Sequence, residues 1–249
     1  MVKNSTKNKV IKPLLSIVIL IGKDVDQVLL KKCIKSVDWA FEIIQVSTTD
    51  IKGSFSDWRN EGLKRAKGDW ILYVDSDEEV LPDLRSEINQ LISDSLNQYG
   101  AFAIPRKNII FNKEFKYSGQ YPDYQKRLFK IEALKKWTGN IHEEPDFVGK
   151  LGHLKNPIIH HKDMSIAQMI DKTNKWSEIE ADLMITANHP KMNILRFTSV
   201  ALREFWIKFM SQKAYLDGKE GIIYGIYQIY SRLISYSKLW EKQQSTIHI

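Results

Sequence analysis

The chain has 249 residues, of which 43% are hydrophobic and 27% charged, so it can bury a sizeable core and is not a disordered protein. Its single cysteine, Cys33, excludes an internal disulfide and fits a reducing compartment. The net charge of +7 favours an anionic partner, and a nucleic acid, a phospholipid surface and a phosphorylated substrate all satisfy it. Neither a secretory signal nor an apolar run of about 18 residues is present, so we expect a cytoplasmic protein that does not span the membrane.

The first half of the chain predicts strands that alternate with helices. Residues 1–13 are polar and lysine-rich, which predicts a basic flexible arm. Apolar runs predict buried strands, and apolar residues at helical spacing separate them. The predicted strands are 14–21, 41–46 and 70–74, and the predicted helices cover 28–37 and 58–67. This alternation predicts a parallel sheet with right-handed crossovers, in which ligands bind beyond the carboxyl ends of the strands.

The following residues predict smaller elements and a helical end. Residues 84–96 have a helical pattern, and short strands are expected at 101–105, 108–111 and 114–117. We therefore expect an α/β catalytic domain over 14–163 and a helical carboxyl-terminal region over 164–249.

An acidic cluster, Asp75-Ser76-Asp77-Glu78, follows the strand predicted at 70–74. Because side chains alternate along a strand, we expect Asp75 and Asp77 to point to the same side, where two carboxylates repel each other unless a cation or a proton lies between them. One or two carboxylates completed by water and phosphate oxygens are typical of magnesium sites for nucleotides. The alternative is an acidic turn before a helix whose first residues include Glu78 and Pro82.

Several segments resemble the family 2 glycosyltransferases of the GT-A fold. The resemblance covers residues 14 to about 242 and is carried by Leu15–Ile19, Glu42–Ile44, Arg59–Leu72 and Asp75–Glu79. Further segments are similar to the small bacterial branch that adds sugars to lipopolysaccharide cores: Gln125–Phe129, Trp137–Glu143, Ile158–His161 and Tyr215–Gly221. The resemblance implies a GT-A Rossmann-like mixed, mainly parallel sheet flanked by helices, with a C-terminal helical appendage.

The resemblance also implies roles for individual residues. Glu143 is the expected general base, with Glu144 and Asp146 as substitutes. Asp77 is expected to hold a divalent metal, Mn²⁺ or Mg²⁺, and Asp75 to contact either the metal or the nucleotide ribose. A bond from the His160 imidazole to the metal would favour manganese. The expected donor-binding residues are Asp75, Asp77, Asp50, Asn60 and Arg127. For His160 the alternative is a structural histidine at the end of a buried strand, and ordinary surface acids are the alternative for the segment around Glu143.

Two loops depart from the family pattern. The turn after the first strand is Gly22-Lys23-Asp24-Val25, where the family has a Thr-Lys-Asn-Glu-like sequence. The segment after the second strand is shortened, so Asp50 either contacts the nucleobase or ribose or ends a turn. The sequence therefore leaves the identity of the nucleotide open.

Two amphipathic segments near the carboxyl terminus predict helices with an apolar face. The first, 194–213, places Phe197, Val200, Ala201, Phe205 and Phe209 near one face. The second has Ile222, Ile226, Ile229 and Leu233 in register, with Tyr224, Tyr227, Tyr230, Tyr236 and Trp240 nearby. Such faces suit a lipid headgroup region, and the alternative is that they pack on the core or form a homodimer contact.

These observations predict a peripheral glycosyltransferase at the inner face of the cell membrane. It would transfer a sugar from a nucleoside diphosphate sugar, expected to be UDP-linked, to a glycan or glycolipid of the bacterial cell envelope, with inversion. A sugar nucleotidyltransferase-like enzyme is one alternative, although the chain has no evident glycine-rich phosphate loop. A non-catalytic binder of anionic ligands is another. We expect no nucleic-acid partner, because the basic residues are dispersed and form no binding motif.

Overall fold

The computed structural model describes residues 14–94, 96–139, 143–163 and 165–245, and the predicted arm at 1–13 lies outside them. The strands are β1 (Leu15–Ile21), β2 (Glu42–Ser47), β3 (Trp70–Asp75), β4 (Glu78–Glu79), β5 (Tyr99–Ile110), β6 (Lys113–Glu114), β7 (Asp123–Lys130), β8 (Leu134–Thr138), β9 (Glu144–Phe147), β10 (Lys150–His153) and β11 (Ile158–Asp163). The helices are α1 (Gln27–Ser36), α2 (Phe55–Arg65), α3 (Pro82–Ser93), α4 (Ile166–Thr186), α5 (Ile194–Phe205) and α6 (Gly218–Ser245). A π-helical segment, Trp206–Ser211, and a 3₁₀ turn, Ala214–Asp217, connect α5 to α6.

The strands form a mixed sheet in the order β2-β1-β3-β7-β5-β11-β4, and β6 and β10 also pair with β5. β1 runs parallel to β2 and to β3, and β7 is antiparallel to β3. In this register Leu20 pairs with Asp75 and Ile21 pairs with Ser47, so the carboxyl ends of β1, β2 and β3 lie at one edge. The mixed, mostly parallel sheet with flanking helices and a helical carboxyl-terminal region confirms the predicted fold class.

The described residues form two compact units. Unit 1 lies within 1–105 and 124–159, and unit 2 lies within 106–123 and 160–249. Residues 106–123 thus group with the carboxyl-terminal helices, whereas the sequence places them in the catalytic domain. The division at 163 and 164 stays a prediction.

Unit 1 has a core on each face of its sheet. Ile17 and Ile19 of β1 pack in one buried cluster with Leu72, whereas Val18 packs in a second cluster with Tyr73. This alternation follows from the twofold periodicity of strands, and it explains why these strands are continuously apolar in sequence. The prediction of strands covered on both faces therefore holds for β1 and β3.

The acidic cluster differs from the strand that the alternation argument assumes. β3 ends at Asp75, residues 76 and 77 form a turn, and Glu78–Glu79 is the short strand β4. The twofold rule therefore does not place Asp77 on the same side as Asp75. The helix predicted over 84–96 begins earlier, at Pro82, and ends at Ser93, and Glu78 lies outside it. Proline suits the first helical position because the N–H that it lacks would have no partner there.

Strand β5 is longer than expected. It runs unbroken from Tyr99 to Ile110 through Pro105, where the sequence suggests two short strands. The φ angle of proline is compatible with extended backbone, so Pro105 does not end the strand.

Unit 2 is built mainly on α4, α5 and α6. Ala181, Met192 and Leu239 form one of its buried clusters, and Ile110, Phe115, Met169 and Tyr224 form another. Across the described ranges, no helix combines the length and the apolar character needed to cross a membrane.

Candidate active site

The site begins with an unusually placed arginine in α2. This helix starts with a capping box, in which Ser54 and Asp57 satisfy each other's backbone N–H groups. Its buried face contains Ser56, Arg59 and Gly62, one turn apart. A Cβ on Gly62 would lie 2.4 Å from Val18 Cγ1, so only glycine lets the helix approach β1 this closely.

Arg59 connects two carboxylates that the sequence assigns to different tasks. Its Nη2 lies 3.3 Å from Asp75 Oδ1, and its Nε and Nη2 donate to Glu143 Oε1 at 3.3 and 3.1 Å. The guanidinium also stacks on Trp137 and Tyr73, with its Cζ 4.9 and 5.5 Å from the ring centroids. One buried cation therefore holds the expected donor-site acid and the expected base together.

A second arginine, Arg127 of β7, contacts Asp75 from the adjacent strand. Its two terminal nitrogens donate to the two oxygens of Asp75, and Nη2 also donates to Glu78 Oε1 at 3.1 Å. Glu78 is fully buried, and its Oε2 accepts a hydrogen bond from the Asp75 backbone N–H at 2.9 Å. Burial disfavours the charged guanidinium, but the carboxylates of Asp75 and Glu78 outweigh it and raise the pKa of Arg127.

The four acids of the acidic cluster all act on the Cys33 side chain. Burial raises the pKa of the Cys33 thiol, and the charges of Glu78, Asp75, Asp77 and Glu79 raise it further. All four acids therefore lie near Cys33 at the end of β3, where guanidinium groups pair with Asp75 and Glu78.

The donor set fits a divalent cation that takes few ligands from the protein. Within the described ranges, no group of three or more histidine, cysteine, aspartate or glutamate side chains could hold a metal ion. Magnesium is often held by one or two carboxylates together with substrate phosphates and water, so Asp77 and Asp75 suffice in that arrangement. Both Asp75 oxygens accept hydrogen bonds from guanidinium groups.

The other predicted donor-binding residues occupy different positions. The Asn60 amide donates to Trp137 O at 2.9 Å and accepts from Trp137 N at 2.7 Å, so it fastens β8 to α2. Asp50 is exposed in the turn after β2, at the sheet edge where Asp75 lies, and its Oδ1 accepts from the Thr49 hydroxyl. The donor-binding roles of Asn60, Asp50 and Arg127 stay predictions.

His160 belongs to unit 2, on β11. Its Nδ1 lies 2.6 Å from Asn108 Oδ1, while Asn108 Nδ2 donates to Gln120 O at 2.9 Å. Because the amide oxygen of Asn108 faces the ring, Nδ1 carries the proton, and in a neutral ring Nε2 holds the lone pair. This tautomer suits a metal ligand, and that role of His160 also stays a prediction.

Two residues of the site, Arg59 and Glu78, are absent from the sequence-based assignment. The signal for Arg59 lies in its own helix, because the small residues Ser56 and Gly62 stand one turn before and after it and indicate a closely packed face. A charge on such a face needs a buried partner.

The fold and the site define an α/β protein with a charged ligand site at the carboxyl edge of its parallel strands. Residues 24–147 match the family model described as Glycosyl transferase family 2, and the chain belongs to this family. The matched segment contains Arg59, Asp75, Arg127 and Glu143.

Relatives named as glycosyltransferases occur in Rickettsia. The chain is 24% identical over 184 residues to an uncharacterized glycosyltransferase of Rickettsia conorii, covering 70% of this chain and 64% of the relative. It is 25% identical over 186 residues to an uncharacterized glycosyltransferase of Rickettsia bellii, covering 70% and 63%. The chain thus spans less than two thirds of the length of these relatives.

Solved structures similar to this chain include a mannosyltransferase and S. aureus TarS. A mannosyltransferase from Pyrobaculum calidifontis, in complex with GDP-Man and Mn²⁺, is 10% identical with a TM-score of 0.47 and covers 93% of this chain and 88% of its own. S. aureus TarS is 12% identical with a TM-score of 0.37 and covers 81% and 45%.

Proposed function

We propose that the protein transfers one sugar from a nucleoside diphosphate sugar to an acceptor hydroxyl, with inversion at the anomeric carbon. The observation that carries the proposal is the Arg59 guanidinium, which contacts both Asp75 at the sheet edge and Glu143. Inversion by a single displacement needs one base on the acceptor side and stabilisation of the leaving diphosphate on the other. A donor-side acid and a candidate base beside one another meet that requirement.

Glu143 is the general base in this proposal. As the acceptor oxygen bonds to the anomeric carbon, the bond from that carbon to the diphosphate breaks, and the hydroxyl proton passes to the Glu143 carboxylate. The two substitutes are less suited, because Glu144 is 67% exposed and paired with Lys126, and Asp146 is 45% exposed and paired with Lys135. The Glu143 side chain is only 20% exposed, which supports the choice.

Asp77 would hold a divalent cation, Mn²⁺ or Mg²⁺, with Asp75 beside it. When bound, the cation would offset the negative charge that develops on the leaving diphosphate. Arg59 and Arg127 hold the Asp75 side chain at the strand end through hydrogen bonds. The family resemblance makes His160 a further candidate ligand. Asp50 would contact the nucleoside from the same edge of the sheet.

The proposal includes a donor linked to UDP and an acceptor that is a glycan or glycolipid of the bacterial cell envelope. Its support is the resemblance of several segments to the branch that builds lipopolysaccharide cores. The same reasoning places the protein at the inner face of the cell membrane, where such acceptors are assembled.

A donor screen tests the reaction class. Nucleoside diphosphate sugars would be offered with Mn²⁺ or Mg²⁺, while thermal stabilisation and release of nucleoside diphosphate are both measured. We expect stabilisation that depends on the metal, and its loss in Asp77→Asn but not in Asp38→Asn, which changes an exposed carboxylate. Release of pyrophosphate in place of a nucleoside diphosphate, or equal stabilisation of both variants, would contradict the proposal.

A further inference from the structure

An exposed apolar surface runs along α5 and the π-helical segment of unit 2. We call it the α5 surface, and its large side chains are Ile194, Leu195, Leu202, Phe205, Trp206 and Met210. Leu202 and Trp206 are each 65% exposed, in contrast to Val200 on the opposite side of the same helix, which is buried. Contiguous apolar patches of this kind mark interaction sites in globular proteins.

The α5 surface is firmly supported from beneath. Phe209 of the π-helical segment lies against α6, where a Cβ on Gly225 would be 3.1 Å from its ring. Phe205 stacks on Phe209 with 5.1 Å between ring centroids. The exposed side chains therefore project from a packed helix pair, so their exposure is a property of the folded unit.

Basic side chains predominate in the segment that carries this surface. Between residues 191 and 219, the exposed Lys, Arg, Asp and Glu side chains are all basic: Lys191, Arg196, Arg203, Lys213 and Lys219. The two acids of that segment, Glu204 and Asp217, are buried. The surface thus combines an apolar centre with a positive rim.

We infer that the α5 surface docks on a bilayer that contains anionic lipid. A helix with Trp, Phe and Leu on one side and Lys and Arg around it lies in the interfacial region of a membrane, and each basic residue near an anionic leaflet strengthens the attachment. A second copy of the chain fits less well, because a symmetric contact would bring two positive rims together. The lysine-rich residues 1–13 share this positive charge and do not complement it.

This assignment differs from the sequence-based one, which includes α6. Among the aromatic residues of α6, Tyr224 is buried and the Tyr227 hydroxyl donates to Met169 O at 2.7 Å, whereas Tyr230 is exposed. Trp240 is exposed but lies on α6, outside the α5 surface. The inference deepens the proposed function and rests on it for one point, the presence of a lipid-linked acceptor at that membrane.

Vesicle sedimentation of the whole chain tests the inference. The probes are vesicles of phosphatidylcholine alone and vesicles in which about one quarter of the lipid is phosphatidylglycerol, enough to create a negative surface potential. We expect the protein to bind the anionic vesicles, and to bind them more weakly at high salt. In Leu202→Ser/Trp206→Ser the affinity for these vesicles should fall by about tenfold or more, because two large apolar side chains no longer enter the interface. The matched control, Leu96→Ser/Trp240→Ser, changes the same residue types elsewhere and should bind normally.

Two outcomes would overturn the inference. One is equal vesicle binding by the two double variants, and the other is a wild-type protein that ignores anionic vesicles but loses self-association in Leu202→Ser/Trp206→Ser. Asp77→Asn should bind vesicles normally, and the α5 double variant should still release nucleoside diphosphate with a water-soluble acceptor. These variants therefore test the membrane-binding proposal and the transfer-reaction proposal independently of each other.

Discussion

Arg59 holds Glu143 through two of its nitrogens, Nε at 3.3 Å and Nη2 at 3.1 Å from the same carboxylate oxygen. The contact joins α2 to the residue just before β9, and Arg59 and Glu143 are 84 positions apart in the sequence. It orients the candidate base, and the same guanidinium reaches Asp75. Arg59 is therefore a positioning residue for both halves of the proposed reaction.

Replacing Arg59 by lysine should slow transfer by about 10 to 100-fold, because a single ammonium cannot hold both carboxylates and small displacements of reacting groups are costly. Steady-state kinetics with the identified donor would show the loss mainly in kcat. Arg65→Lys, in the same helix but with an exposed side chain paired with the half-buried Glu61, is the control and should keep wild-type rates. Unchanged kcat in Arg59→Lys would remove the positioning role.

Glu143→Gln should retain donor binding and lose about 10²- to 10⁴-fold in transfer, the usual contribution of a general base. The amide keeps the size of the carboxylate and cannot accept the acceptor proton. Donor affinity by calorimetry and transfer rates would be compared with Glu144→Gln, which we expect to be nearly normal. If Glu144→Gln is the slower variant, the base is Glu144.

Asp217 anchors the start of α6 in unit 2. It is buried and accepts hydrogen bonds from Lys116 N, Tyr117 N and the Ser118 hydroxyl at 2.9 to 3.1 Å. Asp217→Asn should lower the free energy of unfolding by about 2 to 4 kcal/mol, because hydrogen bonds to a buried charge are strong and its amide nitrogen would face other donors. Urea unfolding measures the loss.

Glu220→Gln is the control for that measurement. Glu220 also lies near the start of α6, but its main partner is the partly exposed Lys113, and surface ion pairs contribute little. Its unfolding midpoint should stay close to wild type. A larger effect for Glu220→Gln than for Asp217→Asn would refute the anchoring role.

The capping box of α2 should make stability depend on acid pH. The Ser54 backbone N–H, helped by the Ser54 hydroxyl, lowers the pKa of Asp57 below its ordinary value of 3.8. A carboxyl whose pKa is lowered by folding stabilises the protein above the unfolded pKa, and this stabilisation disappears as the pH falls through the lowered folded value. The urea midpoints of wild type and Asp57→Asn should therefore differ at pH 7 and converge well below pH 3.8, whereas a constant difference would exclude this linkage.

The sequence predicts the sheet better than the details of the site. Apolar runs and helical spacing correctly indicate β1, β2 and β3. Burial on both faces makes β1 and β3 continuously apolar, whereas β2 lies at the edge of the sheet and is only partly buried. The acidic cluster is found as well, but its geometry is not, since the strand ends at Asp75 and nothing in the local pattern marks that residue as the last.

Long-range partners are the part that sequence patterns do not supply. Arg127 is expected to bind phosphate, and in the structure its terminal nitrogens contact Asp75 and Glu78. Asn60 is expected to bind the donor, and both ends of its amide contact the Trp137 backbone. Such pairings arise from the packing of α2, β3, β7 and β8, which no local periodicity encodes.

Gly62 gives this arrangement an unexpected point of vulnerability. At Gly62, one turn after Arg59, α2 lies directly on Val18. A methyl group added at Gly62 would push the helix away from β1 without altering any charged or polar side chain. The resulting tilt of α2 would move Arg59 away from Asp75 and Glu143, the two acids that it contacts at the same time. A substitution of Gly62 would then abolish the proposed sugar transfer, although every polar residue of the candidate active site would still be present.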